Sequence, residues 1–129
     1  MLTAERLLAH GSEGRIALYQ RFQHYFYRGL ALSKSRAELV KIPYGDSHLT
    51  GIFYPAEGGA GRQPVLVQVN GLDSTKEMKF LVGLPRWLAQ RGVASLVFDQ
   101  PGSGDALRLR NMTARFDTEH WASKVVDYL

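Results

Sequence analysis

Two stretches decide how this sequence folds: Val65-Leu66-Val67-Gln68-Val69-Asn70-Gly71-Leu72-Asp73-Ser74-Thr75-Lys76-Glu77, and Val93 to Phe98 with the following Asp99-Gln100-Pro101-Gly102-Ser103-Gly104-Asp105. Val65 to Val69 is an unalternating, β-branched run of the kind found in a strand buried on both faces. The glycine-containing loop after it enters a stretch where Phe80, Leu81, Leu84, Trp87 and Leu88 keep helical period up to Gly92, a helix-ending residue. Pro85 marks either a kink or a true helix start. Val93 to Phe98 reads as a second buried strand. Strand, loop, helix and strand make one βαβ unit, so the two strands are expected to be parallel, with a right-handed crossover and helices on the faces. The fold class is α/β.

Upstream, Glu38-Leu39-Val40-Lys41-Ile42 and His48-Leu49-Thr50-Gly51-Ile52-Phe53-Tyr54 read as two strands joined across Pro43-Tyr44-Gly45-Asp46-Ser47, an antiparallel hairpin leading into the sheet. A turn-rich stretch from Pro55 to Pro64, with Gly58, Gly59 and Gly61, separates the hairpin from the βαβ unit. Ahead of the hairpin, residues 3–10 form a short helical pattern broken at Gly11-Ser12-Glu13-Gly14, where Ser12 can cap the next helix. From about residue 15 to 32, Leu18, Tyr19, Phe22, Tyr25, Phe26 and Leu30 recur at helical spacing. A final helix is expected from Phe116 to Leu129, with Asp117-Thr118-Glu119 as its acidic first turn. The organisation is a helical leader, 1–36, ahead of an α/β core, 37–129.

The chain has 129 residues, 45% of them apolar, which is enough for a core and excludes disordered and collagen-like classes. No apolar run approaches the roughly 20 residues of a membrane-spanning helix. There is no cysteine, so disulfides, thiolate metal sites and cysteine nucleophiles are excluded together. The start, MLTAERLLAHG, has none of the features of a secretory signal, and a cytoplasmic location is expected. The net charge of +4 resides in residues 1–36, where Arg6, Arg15, Arg21, Arg28, Lys34 and Arg36 face only Glu5 and Glu13. Aromatic residues lie between these bases, as nucleic-acid binding would require. The same pattern is that of one amphipathic helix with a packed and a solvated face, and no nucleic-acid or membrane partner is expected.

In open α/β sheets ligands sit beyond the carboxyl ends of the strands, which directs attention to the loops after Val69 and after Phe98. Asn70-Gly71 is also a common hairpin dipeptide, but a helical pattern follows it rather than a returning strand. A glycine-bearing strand-to-helix loop turns backbone amides toward the strand ends, which is how an oxyanion hole is built. The Gly102-Ser103-Gly104 triplet is a poor dinucleotide fingerprint: Leu107 stands where a third glycine belongs, and the loop follows the second strand of the unit. A nucleotide-binding βαβ protein and a non-catalytic binding module nonetheless remain alternatives to an enzyme.

Taken together, the strand, N-G-L-D-S-T-K-E, the helix and R-G-V-A-S-L-V-F-D-Q-P-G-S-G resemble the first half of an α/β-hydrolase. More narrowly they are similar to the branch that contains FrsA-like esterases, dihydropseudooxynicotine hydrolases and fungal pigment chain-shortening hydrolases, in which a helical segment precedes the sheet and a D-x-P-G-x-G turn follows strand four. The resemblance covers about residues 15–129. It implies that Asn70-Gly71 stands where the superfamily often has His-Gly, that the Leu72 amide supplies one oxyanion donor with Asp73 or its neighbours assisting, and that Asp99 and Pro101-Gly102-Ser103-Gly104 shape the adjoining loop. It also implies serine-dependent hydrolysis of an ester or of a carbon–carbon bond beside a ketone, with no metal or organic cofactor. The aromatic stripe of the leader, which reads as core or as the wall of a ligand pocket, points to a small apolar or aromatic carbonyl compound as substrate.

The G-x-S-x-G elbow of that family is absent from these residues. Ser103 comes closest, but Pro101 and Asp105 occupy the positions of the two glycines. Lys124-Val125-Val126-Asp127-Tyr128-Leu129 resembles the helix that runs into strand five, so nucleophile, acid and histidine are expected to lie beyond Leu129 and the 129 residues alone to be inactive. His10, His24, His48 and His120 match no ligand spacing and read as structural or surface residues. Self-association is expected if an unpaired sheet edge is exposed.

Overall fold

The computed structural model describes residues 2–58 and 61–129; Gly59, in the turn-rich stretch, lies outside the described residues. The chain forms two compact units, Met1–Ser35 and Arg36–Leu129. In the first, α1 (Leu2–Arg6) and α2 (Glu13–Leu32) are joined by a reversal in which the Ser12 side chain accepts the Arg15 amide (3.3 Å) and Arg15 Nε pairs with Glu5 Oε1 (2.7 Å). The expectation of a first helix over 3–10 is corrected, since the helix ends at Arg6. Residues 7–11 turn back instead, which is what brings Glu5 to Arg15. On α2, Tyr19 stacks on Phe22 and Phe22 meets Phe26 at a tilt, with ring centroids 6.3 and 6.2 Å apart.

The second unit is built on a four-stranded sheet of β1 (Glu38–Tyr44), β2 (Ser47–Tyr54), β3 (Val65–Gln68) and β4 (Ala94–Phe98) in the order β1-β2-β4-β3. β1 and β2 are antiparallel, as are β2 and β4, whereas β3 and β4 are parallel. The hairpin connection is tighter than the sequence suggests: Tyr44 pairs with Ser47, which leaves only Gly45-Asp46 as the turn. Gly45 has φ +56°, and a positive φ at the first central position is what a two-residue hairpin needs. Pro43, expected in the connection, lies in β1 opposite His48, and it is tolerated there because β1 is an edge strand with one side free of ladder bonds.

β4 is buried along its whole length, as its apolar run predicts, but β3 is not. Leu66 is 41% exposed, because β3 has a ladder partner on one side only. The crossover between them contains two helices rather than one: α3 (Lys76–Leu81) and α4 (Leu84–Ala89), broken at Gly83, with Pro85 in the first turn of α4 and therefore at a true helix start. Phe80 of α3 packs on Tyr54 of β2 with ring centroids 5.9 Å apart.

After β4 the chain forms α5 (Gly104–Arg108), a short helix with no apolar periodicity to announce it, and then α6 (Glu119–Tyr128). α6 begins three residues later than expected. Phe116 is 99% exposed, and Asp117 chelates Arg115 (2.8 and 2.6 Å) instead of lying in the first turn, so only Glu119 has the expected place there. Trp121 and Val125 of α6 join Ile42, Leu49, Leu96, Phe98 and Ala106 in the main core, with Phe98 and Trp121 meeting edge to face at 5.7 Å.

Close packing of three strands depends on Gly51 at the centre of this core. A Cβ there would come within 2.9 Å of Leu96 Cδ1 and 3.2 Å of Phe98 Cβ and Val40 Cγ2. Gly51→Ala is therefore expected to lower the unfolding free energy by about 1–3 kcal/mol, the usual range for overpacking a core. Urea titration of the two proteins measures it, and coincident midpoints would show that the strands can separate to admit the methyl group.

Candidate functional site

The loops after β3 and β4 lie side by side at the carboxyl ends of these parallel strands, where ligands bind in sheets of this kind. A buried carboxylate joins them. Asp99, the residue after β4, accepts hydrogen bonds at Oδ1 from Asn70 Nδ2 (2.5 Å) and the Lys76 amide (2.8 Å), and at Oδ2 from Lys76 Nζ (2.9 Å) and the Asp105 amide (3.0 Å). One side chain thus ties the end of β4 to the β3 loop, to the start of α3 and to the start of α5.

Lys76 is fully buried and is surrounded by carboxylates: its Nζ lies 2.9 Å from Glu77 Oε1 and 3.3 Å from Asp105 Oδ2, besides its contact with Asp99. Asp105 Oδ2 also accepts from Thr50 Oγ1 (2.5 Å) and pairs with Arg110 Nη1 (3.1 Å). Such ions persist in the interior only because each meets opposite charge and donors. Lys76 Nζ fills the centre of the carboxylate group, and among the described residues no cluster of three or more His, Asp or Glu is arranged to hold a metal. Gly104 has φ +45°, and a Cβ there would overlap the Asp99 carboxylate, so the close approach requires glycine.

The sequence-derived site residues divide into two groups. Asn70 is buried, and its side chain is engaged in the fold: Nδ2 donates to the Phe98 carbonyl (2.9 Å) as well as to Asp99. Gly71, Leu72, Asp73 and Ser74 form a turn closed by the Ser74 amide on the Gly71 carbonyl (3.1 Å), with Leu72 and Asp73 at its centre and the Leu72 side chain 71% exposed. Gln100 grips this loop from the other side, accepting from the Asn70 amide (3.0 Å) and donating to the Asn70 carbonyl (2.6 Å). Ser103 Oγ donates to the Gln100 carbonyl (3.0 Å), which stabilises the turn. His48 Nε2 lies 2.9 Å from Arg110 Nη2, and since a guanidinium only donates, His48 is a neutral acceptor there. Burial, and then the Arg110 charge, lower its pKa. His120 sits edge-on to Tyr44, and His24 to Tyr25.

Lys76, Glu77, Gln100 and Asp105 are the members that sequence reasoning passed over. A lysine and a glutamate opening an otherwise apolar helical stretch, facing two aspartates around Pro-Gly-Ser-Gly, were the available signal.

Burial pushes the Asp99 carboxyl up to about 6 from 3.8; Lys76 opposes this, while Glu77 and Asp105 add to it. A carboxyl with a raised folded pKa binds its proton more tightly in the folded protein. Its contribution to stability is therefore complete below about pH 4 and is lost as pH rises through about 6. Unfolding free energies measured from pH 4 to pH 7.5 should show this downward component in the unsubstituted protein and not in Asp99→Asn; parallel profiles would contradict it.

No protein-family profile matches this sequence. Over 108 residues the chain is 39% identical to Hydrolase LUC6 of a Fusarium species, a match covering 81% of this chain and 26% of that protein. It is 35% identical over 108 residues to the 20-hydroxy-prefusarin hydrolase FUS2 of Gibberella moniliformis, with the same two shares. The solved structure of 2,6-dihydroxy-pseudo-oxynicotine hydrolase superposes with a TM-score of 0.74 at 25% identity, covering 91% of this chain and 32% of that one. AbyA5 superposes at 0.70 with 21% identity, covering 90% and 32%, a likeness of fold alone. The chain spans about a quarter of the length of the curated relatives it matches. The chain is thus similar to hydrolases, and its mixed β1-β2-β4-β3 sheet matches the N-terminal part of the α/β-hydrolase fold.

Proposed function

We propose that this chain is the N-terminal part of a serine-dependent α/β hydrolase acting on a small apolar or aromatic carbonyl compound, at an ester or at a carbon–carbon bond beside a ketone. The observation that carries the proposal is the Gly71–Ser74 turn at the carboxyl end of the parallel β3–β4 pair, with the residue before it held to the β4 loop by Gln100 and Asp99. In this role the Leu72 amide donates to the oxygen of the substrate carbonyl as negative charge grows on it, with Asp73 or its neighbours assisting. Losing one such donor typically raises the barrier by about 3 kcal/mol. A serine on a later segment of the protein attacks the carbonyl carbon, and a histidine oriented by a carboxylate takes its proton and returns it to the leaving group.

Relatives are named for hydrolysis of 20-hydroxy-prefusarin and of 2,6-dihydroxy-pseudo-oxynicotine, and hydrolysis is the part of those activities extended to this protein. The reaction as proposed is carried by side chains and backbone donors alone, in the cytoplasm. Asn70 has a structural duty here, replacing no proton donor, because its side chain faces Phe98 and Asp99.

The test is to express the complete reading frame that contains this chain alongside the 129 residues alone, and to treat both with a fluorophosphonate and with aryl esters. Covalent labelling of a serine beyond Leu129, with turnover confined to the complete protein, is the expected outcome. Turnover by the 129-residue chain, abolished by changing one of its own residues such as Ser103, would contradict the proposal.

A further inference from the structure

The Leu72–Asp73 turn begins two residues after Asn70, and both backbone hydrogen-bonding groups of Asn70 are engaged by one side chain. Its amide donates to Gln100 Oε1 (3.0 Å), and its carbonyl accepts from Gln100 Nε2 (2.6 Å). The last ladder pair of the parallel strands is Gln68 with Val97, so Asn70 lies past the end of regular pairing. The Gln100 carboxamide is in effect a free peptide group that supplies this residue with the donor and acceptor a neighbouring strand would otherwise provide. Gln100 is itself fixed, since its carbonyl accepts from both the amide (3.0 Å) and the hydroxyl (3.0 Å) of Ser103.

We infer that Gln100 is a positioning residue for the hydrolytic reaction: it sets the place of the oxyanion-donating turn through Asn70 without touching the substrate. The inference rests on the function proposed above. Only glutamine meets the two-point requirement at this distance. Asparagine is one methylene short, methionine has the length without the hydrogen bonds, and glutamate has both a donor and an acceptor only while its carboxyl is protonated. Ionised, a glutamate here would set its charge against the Asn70 carbonyl. Gln100 is distinct from the Asp99 network in this respect, because Asp99 reaches the Asn70 side chain whereas Gln100 reaches its backbone.

The glutamate variant makes the test specific. In the complete enzyme, Gln100→Met is expected to lower kcat by about 10- to 100-fold with KM changed by less than about twofold, the signature of a misplaced group that acts in the transition state. For Gln100→Glu, the ratio of kcat to that of the unsubstituted enzyme is expected to rise toward one as pH falls through the range where the carboxyl takes up its proton. A residue that only stabilises the fold would shift Tm without producing that ratio profile. Unchanged kcat in Gln100→Met, or a flat ratio in Gln100→Glu, would overturn the inference while leaving the hydrolase proposal standing. Absence of turnover in the unsubstituted complete protein would overturn the hydrolase proposal, and with it the catalytic meaning of Gln100. The clamp itself is read separately in the 129-residue chain by amide hydrogen exchange. Leu72 and Asp73 are expected to exchange at least about tenfold faster in Gln100→Met while the β4 amides are unaffected, and equal exchange would overturn the clamp.

Discussion

Everything at the carboxyl end of this sheet depends on one buried carboxylate. Asp99 has no access to water, and it is tolerated because four donors converge on it from three separate stretches: Asn70, Lys76 twice, and Asp105. Each donor fixes a different element. Asn70 belongs to the loop leaving β3, Lys76 opens α3, and Asp105 lies in the first turn of α5. Loss of the carboxylate would leave Lys76 buried among fewer counter-charges, and breaking a buried ion pair in this way commonly costs about 3–5 kcal/mol. Gly104 belongs to the same constraint, because α5 can approach Asp99 only where no side chain intervenes.

The rest of the arrangement follows from that junction. With β4 buried on both faces and flanked by β2 and β3, its final residue is held rigidly, and the loops around it inherit this rigidity. Loops carry chemistry well when a stiff scaffold sets their position. Here two independent links join the β3 loop to the β4 loop, one through the Asn70 side chain and one through its backbone. The turn bearing Leu72 and Asp73 is thus attached at its root while the Leu72 side chain projects into solvent.

Local chemistry was legible in the sequence, and long-range partnership was not. The apolar run of Val93 to Phe98 announced a buried strand, the hairpin residues announced an antiparallel pair, and Ser12 announced a helix cap, since each of these depends on neighbours within a few residues. The same β-branched signal misled at β3, because composition reports what a strand can bury and not how many neighbours it has in this chain. α5 has five residues and so no room for periodicity to show. The charge network escaped because its members are far apart along the chain: Lys76 and Asp99 are separated by 23 positions, Asn70 and Gln100 by 30, Thr50 and Asp105 by 55. The strand-to-helix loop was nonetheless found, since a glycine turn between an apolar strand and a helical pattern has few other uses.

The curated relatives are named as hydrolases and the solved 2,6-dihydroxy-pseudo-oxynicotine hydrolase shares the fold, and the chain covers about a quarter to a third of their lengths. In the function proposed here, the strand-end loops become more than a folding device when the Leu72 amide faces the reacting carbonyl. The most direct measurement is a crystal structure of the complete protein after inactivation with an aryl phosphonate, whose phosphoryl oxygen stands in for the oxyanion. That oxygen is predicted to lie about 2.7–3.1 Å from the Leu72 amide nitrogen, the distance an oxyanion donor requires. A phosphoryl oxygen bound by donors outside the Asn70–Ser74 loop would contradict the role assigned to it.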